Sequence, residues 1–157
     1  MNQARVAAGA VILAAGLSSR FGGRPKALAE LGGRSLLRGA AYKCRLVGVD
    51  RVTVVTGHHK TEVEEAAEAL GLTTVHNPDF RQGMFSSIQA GVRAMAGLEA
   101  FFVWPVDGAL TRPQTLLALI TAWRSYPDFE KPAVMVPVYN FFTGHPPLIN
   151  GRLRQEI

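Results

Sequence analysis

"GAVILAAGLSSRFGGRPKALAELGG", residues 9–33, decides the fold. Its opening, GAVILAA, is apolar at every position, which reads as a strand buried on both faces rather than one with a wet side. The chain then turns at once to glycine, serine and base: Gly16, Ser18, Ser19, Arg20, Gly22, Gly23, Arg24 and Lys26. Gly16 has no side chain to keep an anion away from the backbone N–H groups. Arg20 offers a planar fork of donors and Lys26 a compact point charge, the two side-chain cations best suited to phosphate oxygens. The competing reading is an ordinary βα loop with solvated bases. Its length and charge disfavour that, since such loops in compact α/β domains are usually two to six residues long. The loop is not a Walker A motif, because no Gly-Lys-Ser/Thr closes it, and Gly16, Gly22 and Gly23 do not have G-x-G-x-x-G spacing.

Outward from this loop the same alternation repeats. Residues 10–15, 51–57, 72–77, 100–107 and 133–138 are rich in Val, Ile, Phe and Thr and read as strands, with a further strand expected after His145. Between them, SLLRGAAYKCRLVG, KTEVEEAAEALG, SSIQAGVRAMAG and PQTLLALITAWRSY carry apolar residues at helical spacing. Ser35 and Thr61 lie near helix starts, and Gly48, Gly71 and Gly97 near helix ends. Nearly continuous apolar strands joined by helices predict a three-layer α/β/α sandwich around a mostly parallel, Rossmann-like sheet. At 157 residues, with no repeat or linker, the chain reads as one domain.

Composition narrows the partners. The net charge is +5, and before residue 52 nine bases face only Glu30 and Asp50, which calls for an anionic ligand in this half. Nucleic acid is not expected, because the bases lack interleaved aromatics and no nucleic-acid-binding motif occurs. The longest apolar runs fall far short of the roughly 20 residues of a membrane span. The apolar start also runs into the basic loop rather than a cleavage site, so it is a strand and not a signal peptide. One cysteine, Cys44, cannot make an intrachain disulfide. It reads as a buried structural thiol in a helix, and the chain as cytoplasmic.

In open α/β sheets ligands sit beyond the carboxyl ends of the strands, where the strand order reverses. Three further segments fall at such ends. In NPDFRQGMFSSIQAG, residues 77–91, Asn77-Pro78 makes a turn and Gly83 permits close approach. There Ser86 and Ser87 either cap the next helix or face a ligand. Asp107, after the apolar AFFVWPV, is either a capping carboxylate or a ligand for Mg²⁺, which takes one or two carboxylates plus phosphate oxygens and water. His145, in TGHPPLI, is alone, and no histidine spacing suggests zinc.

These four segments, in this order, resemble the signature of the MobA-like NTP transferases. LAAGLSSRFGGRPKALAELGGRSLL is similar to L-A-[AG]-G-x-S-x-R-[MF]-G with a following Lys and G-x-x-L-L. NPDFRQGMFSSIQAG is similar to N-P-x-x-x-x-G-M-x-S-S-[IL]-x-x-G, PVDGAL to [LP]-x-D-x-P-L, and GHPPLI to G-H-P-x-L. The resemblance is greatest to the molybdenum cofactor cytidylyltransferase branch. It implies transfer of CMP or GMP from a Mg²⁺-bound nucleoside triphosphate to a phosphorylated acceptor of the molybdopterin type. Leu13, Ala14, Ala15, Gly16, Arg20, Lys26, Asn77, Gly83 and Ser87 would bind the nucleotide, with Arg20, Lys26 and Asp107 catalytic and Asp107 on the metal. Gly144, His145 and Pro146 would border the acceptor. Ala15, where guanylyl-transferring relatives carry glycine, favours CTP over GTP. A sugar-phosphate nucleotidyltransferase and a non-catalytic nucleotide-binding module are the alternatives. Ala109 stands where the family has proline, and the chain stops at INGRLRQEI, where the family continues, so a C-terminal segment is expected to be lacking.

Overall fold

A computed structural model describes residues 7–108, 110–126 and 133–157, with the backbone but not the side chain of Arg20. Ala109 and the stretch 127–132 lie outside the described residues. The first apolar run forms β1 (Ala8–Leu13), every residue of it buried. A short ribbon of β2 (Glu30–Leu31) and β3 (Arg34–Ser35) leads into α1 (Leu36–Leu46). Then follow β4 (Arg51–Thr56), α2 (Lys60–Ala69), β5 (Thr73–His76), α3 (Met84–Val92), β6 (Ala100–Pro105) and α4 (Pro113–Arg124). The last elements are β7 (Val134–Met135), a ribbon of β8 (Val138–Tyr139) and β9 (Phe142–Thr143), and β10 (Leu148–Asn150).

The main sheet has the order β5-β4-β1-β6-β10-β7. β5, β4, β1 and β6 are parallel, and β10 runs antiparallel to both β6 and β7. The expected mostly parallel sandwich is therefore the observed one. β1 lies between β4 and β6, so the chain winds one way to β4 and β5 and then crosses to the other side of β1 for β6. That reversal sets a crevice above the carboxyl ends of β1 and β6.

Alternation along β1 divides the core in two. Ala8, Ala10 and Ile12 join a cluster with Leu37 and Cys44 of α1, Val63 of α2 and Leu116 and Trp123 of α4. Val11 and Leu13 point the other way, into a cluster with Val92 of α3, Met95 and Phe101. Successive strand side chains go to opposite faces, so one strand serves both helical layers. α3 lies very close to the sheet: a Cβ on Gly91 would stand 2.2 Å from Val11 Cγ1 and 2.7 Å from Val55 Cγ2.

Local signals behave as their chemistry requires, with three corrections. Ser35 caps α1, its Oγ accepting from Arg38 N at 3.2 Å. Gly48, Gly71 and Gly97 all take positive φ just past helix ends. The expected strand at 133–138 is only β7, because Pro137 has no N–H to donate and the chain bends into the β8–β9 ribbon. β1 and β6 end at Leu13 and Pro105, so Ala14, Ala15 and Asp107 are loop residues at the strand ends. Ser86 and Ser87 do not cap α3: the helix starts at Met84 behind Gly83, whose φ of 110° suits glycine, and both serines lie within its first turns. Cys44 is fully buried, and loss of hydration pushes its thiol up to about 12 despite the neighbouring Lys43.

Candidate active site

The crevice at the strand reversal is a cleft of about 560 Å³. Its floor is the chain just past β1, held on both sides. Ala14 N donates to Val55 O at 2.9 Å and His58 N to Ala15 O at 3.3 Å on the β4 side. Val106 N donates to Leu13 O at 3.1 Å on the β6 side. Gly57, leaving β4, passes so near that a Cβ there would sit 2.5 Å from Ala15 O. The floor is therefore a fixed length of backbone with small side chains, and at Gly16 a Cβ would meet no atom within 4 Å.

One wall is the basic loop. Ser18 is left-handed (φ 51°, ψ 29°), as are Gly22 and Gly23 beyond it. Its Oγ accepts from Lys26 N at 3.0 Å. The Lys26 side chain then crosses the cleft mouth, passing its ammonium 5.4 Å from the centre of the Phe21 ring. It ends on Asp107, whose Oδ2 accepts from Nζ at 3.0 Å across 81 residues of sequence. Those side chains are 32% and 56% exposed, and an ion pair so wet stabilises a fold by about 1 kcal/mol or less. Both charges are consequently available to a ligand at small cost.

The opposite wall is the 77–87 segment. Asn77 is buried and donates through Nδ2 to Ser86 Oγ (2.9 Å) and Ser87 Oγ (3.0 Å), while its Oδ1 accepts from Asp79 N (3.0 Å). The Ser86 hydroxyl turns back to the carbonyls of Gly83 and Asp79. Ser87 is buried and lines the cleft with Gly83, Met84, Phe80 and Arg81.

Of the residues expected from sequence, Leu13, Ala14, Ala15, Gly16, Lys26, Gly83, Ser87 and Asp107 line this cleft. Asn77 stands behind it and holds Ser87. The Arg20 backbone lies in a turn of 3₁₀ helix, Ser19–Phe21, on the loop wall. Gly144, His145 and Pro146 are not among the lining residues. The His145 carbonyl instead accepts from Thr111 Oγ1 at 3.0 Å, joining that turn to the loop after Asp107. Sequence reasoning missed Ser18, Phe21, Phe80 and Arg81 as parts of the cleft. The Arg81 guanidinium lies over the Phe80 ring at 5.5 Å, mirroring Lys26 and Phe21 on the facing wall.

Among the described residues no three His, Cys, Asp or Glu side chains gather as a metal cage. A single exposed carboxylate beside a cationic loop still fits a magnesium-like ion that arrives with phosphate oxygens and keeps its waters. No helix among the described residues is long and apolar enough to cross a membrane.

The fold, with its cleft at the strand reversal, is that of the nucleotidyltransferases. The family model described as "MobA-like NTP transferase domain" matches residues 10–157, and the chain belongs to that family. It is 30% identical over 141 residues to the molybdenum cofactor cytidylyltransferase of Escherichia coli, covering 89% of this chain and 68% of the relative. It is 30% identical over 154 residues to a Paenarthrobacter nicotinovorans protein named nicotine blue oxidoreductase, covering 94% and 72%. Rv0371c of Mycobacterium tuberculosis has the same fold, with a TM-score of 0.81 at 23% identity over 96% of this chain and 75% of its own. A manganese complex of that protein superposes with a TM-score of 0.72 at 21% identity over 96% and 74%. Because a protein this similar to the chain is named an oxidoreductase, the substrates must be argued from the cleft rather than from the fold.

Proposed function

We propose that this protein transfers CMP from a Mg²⁺-bound CTP to the phosphate of an acceptor of the molybdopterin type, releasing pyrophosphate. The observation that carries the proposal is the meeting of Lys26 and Asp107 over a floor of bare backbone. The residues best suited to a triphosphate and to its metal come from distant parts of the chain to one cleft mouth.

In the reaction an acceptor phosphate oxygen forms a bond to the α-phosphorus, and the bond from that phosphorus to the bridging α,β-oxygen breaks. The electron pair leaves on pyrophosphate. An acceptor phosphate is already anionic near pH 7, so no general base is called for, and the work is positioning and charge neutralisation. Lys26 turns its ammonium from Asp107 to the β- and γ-phosphates and stabilises the charge that collects on pyrophosphate. Arg20, assigned from the resemblance, shares that role. The carboxylate of Asp107, together with phosphate oxygens and water, would hold the ion, which supplies further neutralisation of the triphosphate when bound. Ala14, Ala15 and Gly16 present backbone groups to the base edge, and the preference for CTP rests on the resemblance, in which guanylyl-transferring relatives carry glycine at the place of Ala15. Gly83 and the Ser87 hydroxyl, held by Asn77, face the nucleoside from the other wall. Gly144, His145 and Pro146 are assigned to the acceptor from the resemblance, and the bond from Thr111 to the His145 carbonyl ties their turn to the loop after Asp107.

The test is pyrophosphate release with each of CTP, GTP, UTP and ATP, with molybdopterin or a sugar 1-phosphate as acceptor. Release that needs both CTP and molybdopterin is the expected result. Release with a sugar phosphate would move the acceptor to that class, and binding without release would make the domain a nucleotide-binding module.

A further inference from the structure

We infer that Ser18 is a positioning residue for the triphosphate: its hydroxyl determines where Lys26 leaves the backbone, and so where the ammonium can reach. The inference rests on the reading of Lys26 given above, and adds to it a residue that does not itself need to touch a phosphate.

Lys26 opens a single turn of 3₁₀ helix, Lys26–Leu28, with Pro25 in front of it. The first N–H groups of any helix have no acceptor inside the helix and need one from elsewhere. Ser18 Oγ supplies it at 3.0 Å from eight residues upstream. The Ser18 carbonyl also accepts from Phe21 N at 2.8 Å, so this residue both starts the loop and fastens its far end. Between the two anchor points Gly22 and Gly23 are left-handed and open, a Cβ on either meeting nothing within 4 Å. The tip therefore brings no packing of its own. Ala27, buried in the core, and the Ala29 N–H on the Lys26 carbonyl at 3.0 Å hold the turn from below, and the Ser18 bond is the side-chain tie that sets the Lys26 N–H against the loop.

The conformation at Ser18 singles out its chemistry. With φ at 51° and ψ at 29° it occupies a region that residues other than Gly, Asn and Asp seldom take. Glycine would make the turn more easily but has no acceptor for Lys26 N. Serine at this place trades local backbone comfort for the bond that seats the lysine.

The test measures affinities of the whole chain for Mg²⁺–CTP and for CMP by calorimetry, with melting temperatures recorded alongside. Four proteins are compared with wild type: Ser18→Gly, Lys26→Met, the double variant, and Ser18→Asn. Ser18→Gly keeps the backbone and removes the acceptor. It is expected to weaken CTP about five- to tenfold, the scale of one hydrogen bond, and to leave CMP within about twofold. Because Ser18 acts through Lys26, the double variant binds CTP no worse than Lys26→Met. Ser18→Asn keeps an oxygen acceptor in a residue that tolerates the left-handed region, and restores CTP affinity. Equal losses for CTP and CMP, additive losses in the double variant, or an unchanged CTP affinity in Ser18→Gly while Lys26→Met is impaired would each overturn the role of Ser18. The last outcome leaves the role of Lys26 standing. No CTP binding by the wild-type chain would instead refute the nucleotide reading, and the positioning role with it.

Discussion

Lys26 Nζ and Asp107 Oδ2 stand 3.0 Å apart at the mouth of the cleft, so the cation read as a phosphate ligand and the carboxylate read as a metal ligand neutralise one another. A divalent ion approaching Asp107 meets an ammonium already there, and a triphosphate approaching Lys26 meets a carboxylate. Each ligand arriving alone must separate the pair, whereas the two arriving together replace it with two better matches. Lys26→Met is therefore expected to bind Mn²⁺ more tightly than wild type in the absence of nucleotide. The same variant loses about 10- to 100-fold in triphosphate affinity, the scale of a charge-assisted hydrogen bond. Paramagnetic resonance of free Mn²⁺ reads the first effect and calorimetry the second. Weaker Mn²⁺ binding by Lys26→Met would contradict the competition.

Asp107→Asn keeps the shape of the side chain and its reach to Lys26 but loses the charge. It is predicted to retain the melting temperature of the wild type within about 2 °C, because the exposed ion pair adds little to stability. Metal-dependent pyrophosphate release should fall by at least about a hundredfold, the loss expected when one preorganised charge is taken from a transition state. Retained release would remove Asp107 from the chemistry.

Gly57→Ala tests the floor. Its methyl would meet backbone, 2.5 Å from Ala15 O, and backbone there cannot move without disturbing the strand-end hydrogen bonds of Ala14 and His58. Overpacking of this kind costs about 1–3 kcal/mol, and nucleotide affinity should fall with the melting temperature. Gly16→Ala, with open space around its Cβ, is the contrast: stability unchanged in thermal melts, nucleotide affinity reduced.

Much of this was legible in the residues, for reasons that differ from place to place. β1 reads directly because a run apolar at every position has few homes other than a sheet covered on both faces, and the structure splits its side chains between two core clusters. The Gly-Ser-Arg loop is legible as a wall of the cleft because it follows β1 directly, and residues just past a strand's carboxyl end lie at the reversal of strand order. The 133–138 run misled because apolar composition says nothing of hydrogen-bond partners, and Pro137 interrupts the strand. Ser86 and Ser87 misled because a serine before a helical pattern looks like a cap, whereas Gly83 starts the helix and Asn77 takes both hydroxyls. Phe80 and Arg81 carried no signal, since their place on the cleft wall depends on how the turn after Asn77 folds back.

Asn77 makes a further prediction. It is buried, with both ends of its amide engaged, and Asn77→Ala leaves Ser87 and the Asp79 N–H without those partners. Loss of such a buried polar network costs about 1–3 kcal/mol, measurable by urea unfolding. Nucleotide affinity should drop with it, although Asn77 itself does not line the cleft.

Cys44 fixes the sign of an alkaline effect. Burial raises its thiol from 9.0 to about 12, so above pH 9 the unfolded chain has released a proton that the folded chain still holds. The folded state binds more protons there, and stability falls as pH rises from about 9 toward 12, by up to about 1.4 kcal/mol per pH unit from this group. Cys44→Ala removes that component, so its unfolding free energy should decline less steeply over the same range than that of the wild type. Parallel declines would show that the thiol is not held neutral.

The central claim, that the cleft between the basic loop and Asp107 binds a nucleoside triphosphate, is tested most directly by a thermal-shift panel. The whole chain is melted with Mg²⁺ and each of CTP, GTP, UTP and ATP, beside Lys26→Met treated identically, because a ligand of the folded state must raise its melting temperature. The account predicts a rise with CTP exceeding that with the other three, largely lost in Lys26→Met. No rise with any nucleotide, or an equal rise in the variant, would contradict it.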